Sequence, residues 1–126
     1  MIHSYSLLFL GILSAIAATL WITRKIRTKD MYYKEFYKDA SEEEIKNDLL
    51  KEGFSPSLLS HGPGYKYEAH SHPELKVLAF LEGTMEVRVD GHIFECRAGD
   101  KLIIGGEREH EATCGEKGCR FFWAEK

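Results

Sequence analysis

Three patterns of apolar and polar positions follow one another along this chain. The first runs from Met1 to Thr23, which contains no Asp, Glu, Lys or Arg; Tyr5 to Ile22 within it is almost wholly apolar. A helix of about 20 such residues rises about 30 Å, enough to cross a bilayer core. Trp21 then falls at the interface, and Arg24, Lys25 and Arg27 follow at once, so the expected anchor has its N-terminus outside and the rest of the chain in the cytoplasm. Two other readings stay open. A cleaved signal peptide would need a basic start, which is missing, although Ala15-Ile-Ala17 resembles a cleavage site. A native start at Met31 would leave a purely cytoplasmic protein.

The second pattern has a helical period. Tyr32, Tyr33, Phe36 and Tyr37 fall on one helical face, to lie at a membrane interface or, more simply, to pack on the domain behind it. Ser41 with Glu44 forms a capping box, Ile45 and Leu49 make an apolar stripe with Leu50 beside it, and Gly53 supplies the stop, which predicts a short amphipathic helix over Glu42 to Glu52.

From Phe54 the period shortens to two. Strand-like runs at Ser57 to Ser60, Tyr65 to His70, Leu75 to Leu81, Met85 to Val89, His92 to Cys96, Lys101 to Ile104, His110 to Cys114 and Cys119 to Trp123 alternate with turn residues. Asp90-Gly91 is a strong hairpin signal because both residues accept positive φ. About eight short strands predict a mainly β, double-sheet jelly roll. The organisation is therefore 1–27 anchor, 28–53 helical linker and 54–126 barrel.

Charge and cysteines narrow the classes of function. Net charge is −3, and the residues after Arg27 hold 14 of the 17 basic side chains against all 20 acidic ones. Nucleic acid is thus not an expected partner, since phosphate binding needs a basic surface. Three cysteines, Cys96, Cys114 and Cys119, are an odd number that fits a reducing compartment. Cys114 and Cys119 flank Gly-Glu-Lys-Gly, a plausible hairpin that would set them opposite each other; two reduced thiols are the expectation there, with a cross-strand disulfide as the alternative.

The chemistry concentrates in Gly64 to Gly83. Alternate residues of a strand share a face, so His70 and His72 present two imidazoles to one point. Imidazole is the commonest metal ligand, and three protein ligands with an open position make a catalytic metal centre. His110 is the best candidate for the third. His61 and His92 read as surface or turn residues, and Glu107, Arg108 and Glu109 as a solvated turn.

Gly64, His70, His72 and Gly83, followed by Gly99 and His110, fall in register with the two motifs of the cupin family, and the chain resembles that family from about Phe54 to Trp123. The resemblance implies a barrel of this kind holding a divalent transition metal and a small-molecule ligand, and makes a homodimer plausible. It also has departures. Lys76 stands where the family has its glutamate ligand, Gly105-Gly106-Glu107 replaces a Pro-x-Gly turn, and Cys114 replaces an asparagine. An ammonium cannot ligate a cation. Three solutions remain: a three-His metal set with Lys76 turned aside or gripping an anionic ligand; Glu74 as a substitute carboxylate; or no metal, with Lys76 and the histidines holding a small carboxylate or phosphate in a non-enzymatic binding module. A metal-bound form, if an enzyme, would be of oxygenase or isomerase type.

Overall fold

The computed structural model describes residues 31–126. The apolar run expected to cross a membrane lies outside them, and among the described residues no helix is long and apolar enough to do so. What they build is a jelly roll of seven strands and one helix: β1 (Tyr32–Tyr33), α1 (Glu42–Lys51), β2 (Ser57–His61), β3 (Lys66–His70), β4 (Lys76–Val89), β5 (His92–Arg97), β6 (Lys101–Ile104) and β7 (His110–Glu125).

β4 and β7 run antiparallel over nearly their whole length and serve both halves of the barrel. The first half of β4 pairs with β6, and its second half with β5 through the Asp90-Gly91 hairpin. Likewise the end of β7 pairs with β2, and its start with β3. Two pairs of expected short strands are therefore single long strands, since Gly83 and the Gly115 to Gly118 segment mark an irregularity in the ladder rather than a break. Gly83 has φ +72°, and a Cβ there would lie 2.0 Å from the carbonyl oxygen of Gly118. Any other residue would push the two strands apart.

Cys114 and Cys119 bracket this irregularity and are joined as a disulfide, with Cα atoms 5.5 Å apart. The four residues between them bulge out opposite Thr84, which brings the two thiols together on one strand. This corrects the expectation of reduced thiols and removes the cysteine count as support for a reducing compartment. Cys96 is free and buried, and burial raises its thiol pKa.

The helix forms where its signals put it. Ser41 accepts from the backbone N–H of Glu44, and the Glu44 carboxylate accepts from the N–H of Ser41. Ile45 and Leu49 pack with Tyr37 and Phe54 on Val77, Ala79, Phe122 and Ala124. Alternation along β4 and β7 assigns the other face to the barrel interior, where Leu78, Phe80, Phe121 and their neighbours are buried. The helical face expected for Tyr32 to Tyr37 does not form. Tyr32 and Tyr33 pair instead with Leu102 and Lys101 as an added strand. The cause is Asp100, 2% exposed, whose carboxylate accepts from the Tyr32 hydroxyl at 2.5 Å and from the backbone N–H groups of Glu35 and Arg97 at 2.8 Å. Leaving that carboxylate buried without partners would be costly, so it recruits the segment into the sheet.

Candidate metal centre

His70 ends β3 and stands directly across from His110, which begins β7. His72 follows in the connection to β4. One ring nitrogen from each of the three lies within 4.8 Å of the other two, so the structure brings together the three histidines singled out by spacing. His61 and His92 stand outside the cluster. The ring of His61 stacks on Tyr65, with 3.8 Å between centroids, and its Nε2 meets the Tyr67 hydroxyl.

Backbone carbonyls orient two of the rings. Nδ1 of His70 donates to the carbonyl of Glu68 at 2.7 Å, and Nδ1 of His110 to the carbonyl of Arg108 at 2.9 Å. Each bond fixes the tautomer and leaves Nε2 with a lone pair toward the cluster. His72 is held through its backbone: its carbonyl accepts from the N–H of Glu107 at 2.7 Å. Glu107 has φ +64°, and a Cβ on Gly106 would come within 2.2 Å of the Pro73 oxygen. The turn read as merely solvated thus seats His72 and orients His110 with main-chain atoms.

Both ring nitrogens of His72 are buried and make no hydrogen bond. The Glu74 carboxylate comes within 3.3 Å of Nδ1 and the Glu125 carboxylate within 3.6 Å of Nε2. Neither contact is a hydrogen bond. An unbonded buried imidazole amid two further imidazoles and carboxylates is a donor set suited to a divalent cation.

Lys76 is the residue that does not fit that set. Its Nζ lies 3.5 Å from Nε2 of His110 and 3.7 Å from a Glu125 oxygen, with the Trp123 ring 5.5 Å away. Burial lowers its pKa from the ordinary lysine value, and Glu125 opposes that shift. For His110 burial again dominates, lowering its pKa and keeping the ring neutral; the Arg108 carbonyl resists, while Lys76 adds to the lowering. A neutral imidazole is the form that ligates a metal.

Beside the cluster lies a cavity of about 430 Å³, within the range of small-molecule sites. Its polar end carries the three histidines, Lys76 and Glu125, and its walls include Leu78, Met85, Phe121 and Trp123. Nothing in the sequence singles out Glu125. It lies at the far end of the chain, outside both motifs, and reaches the cluster only because β7 pairs it with Lys76.

The family of the Cupin domain matches residues 58–125. Dimethylsulfoniopropionate lyase DddW of Ruegeria pomeroyi is 40% identical over 64 residues, which are 51% of this chain and 42% of that protein. An RmlC-like cupin from Shewanella frigidimarina superposes with a TM-score of 0.54 at 25% identity, over 57% of this chain and 64% of its own. KdgF from a Halomonas species gives 0.53 at 16% identity, over 58% and 69%, a likeness of fold alone. The chain spans less than half of the lyase and less than two thirds of the Shewanella protein.

Proposed function

Because the chain belongs to the cupin family, we propose that it binds one divalent transition metal through His70, His72 and His110 and acts on a small organic molecule held in the adjoining cavity. The observation that carries this reading is the convergence of the three imidazoles within 4.8 Å, two of them locked by carbonyls so that Nε2 keeps its lone pair, which in His110 meets Nζ of Lys76 at 3.5 Å. A bound divalent ion would supply Lewis acidity and a lowered pKa to an oxygen atom placed against it. The protein's part is to fix the imidazoles and to surround the reacting molecule with low-polarity walls. Trp123, Phe121, Met85 and Leu78 suit a molecule with an apolar body and a polar or chelating head.

The relative named as a lyase of dimethylsulfoniopropionate supports a small organic substrate. It does not carry the substrate itself to this chain, because a fold hosts many chemistries. The metal-free reading, with an anion at Lys76, is less well supported: Glu125 already faces the ammonium at 3.7 Å.

The test is removal of ligands one at a time. His70→Ala and His110→Ala should each lose bound metal while keeping the circular dichroism of the barrel. Full metal content in both variants would contradict the assignment.

A further inference from the structure

We propose that Glu125 is the carboxylate of this metal site, delivered from β7 across the sheet in place of the one the family motif puts at position 76. The inference rests on the three-histidine reading and names its fourth ligand.

Lys76 and Glu125 are direct Cα partners in the antiparallel pairing of β4 and β7. Side chains so opposed rise from the same face with Cβ atoms about 5 Å apart. A carboxylate on either member of the pair therefore reaches the same point in the cavity. In this chain the acid stands on β7 and the base on β4, an exchange across one rung of the ladder.

The contacts run as a chain from His72 through Glu125 and Lys76 to His110. Glu125 Oε1 lies 3.6 Å from Nε2 of His72 and 3.7 Å from Nζ of Lys76, and that Nζ lies 3.5 Å from Nε2 of His110. Ligands with bonds of about 2.1 Å in neighbouring positions on one metal lie about 3 Å apart; Glu125 stands near that spacing from Nε2 of His72, and its side chain must swing further toward the three-histidine cluster to coordinate. Nε2 of His72, buried without a hydrogen bond, faces that oxygen directly. Charge points the same way. Three neutral imidazoles leave a divalent ion uncompensated beside an apolar wall, and Glu125 is the acid at hand on the cavity side. Glu74 lies against Nδ1 of His72 and suits an orienting role instead. Lys76 and the metal then compete for one carboxylate, and the ammonium must move aside when the metal is held.

Cobalt(II) reports both affinity and ligand set. The full chain, Glu125→Gln, Glu74→Gln, His72→Ala and the exchange variant Lys76→Glu/Glu125→Lys would be titrated with cobalt by calorimetry and visible absorption. Glu125→Gln should weaken binding at least about 100-fold and change the d–d bands, whereas Glu74→Gln should cost about tenfold and leave them unaltered. The exchange variant should bind at least as tightly as the parent, because it returns the acid to β4. Parent-like affinity and spectrum in Glu125→Gln, with His72→Ala deprived of metal, overturns the inference and leaves the three-histidine reading intact. If Glu125→Gln fails to fold, a folded exchange variant without cobalt overturns it equally. A parent protein that binds no cobalt removes both.

Discussion

Lys76 and Glu125 occupy one rung between β4 and β7, and their side chains meet at 3.7 Å beside three converging histidines. The rung places a cation within 3.5 Å of an imidazole nitrogen that the proposed metal needs. Replacing Lys76 by Met keeps most of the length of the side chain and removes the charge. Metal affinity should rise by about tenfold or more, since even a screened unit charge at this range is worth more than 1 kcal/mol against a divalent ion. Equilibrium dialysis against zinc measures it, and weaker binding in the variant would show that the amine supports the site.

The Cys114–Cys119 bond staples the bulge where β4 and β7 change partners. Unfolded without reductant, the protein should show one reactive thiol of its three, and all three after reduction. Closing so short a loop contributes about 2 kcal/mol in the chain-entropy account. Cys114→Ser/Cys119→Ser should therefore unfold at lower denaturant, and three thiols without reductant would contradict the bond.

Tyr37 donates its hydroxyl to Asp48 at 2.6 Å and is nearly buried. Burial, and then this hydrogen bond, push its pKa well above the ordinary tyrosine value. A raised pKa means that its stabilising effect is whole below about pH 10 and is lost above that, as the unfolded chain ionises first. Tyr37→Phe should cost about 1.5–3 kcal/mol at neutral pH and show a shallower loss of stability from pH 9 to 11. Urea unfolding across that range is the check, and a variant indistinguishable from the parent would refute it.

The apolar run from Tyr5 to Ile22 carries a separate expectation. The full chain should sediment with membranes and resist carbonate extraction. Recovery in the soluble fraction at the mass of a Met31 start would contradict the anchor.

The sequence alone reveals most of the barrel, the three histidines and Lys76 of the site, and Glu74 beside them. β6 forms at the expected residues, Lys101–Ile104, because its apolar run ends in glycines. His70, His72 and His110 stand out because a two-residue spacing and a family motif are both local signals. What stays hidden depends on register. Gly83 has turn composition, and only the strand opposite decides that it bends a ladder instead of ending it. The aromatics at Tyr32 and Tyr33 suit a helix by spacing, but the buried Asp100, far along the chain, makes them a strand. Glu125 is invisible because its relation to Lys76 exists only once β4 and β7 have paired. The carbonyls of Glu68 and Arg108 orient the imidazoles with main-chain atoms, which no side-chain identity announces.

The most direct test is elemental analysis of the protein, purified without a polyhistidine tag or chelator, beside His72→Ala. The parent should hold about one equivalent of a transition metal, and the variant should lose it. A parent free of metal after reconstitution with zinc, manganese, iron and nickel would contradict the three-histidine reading and leave Lys76 as the centre of the cavity.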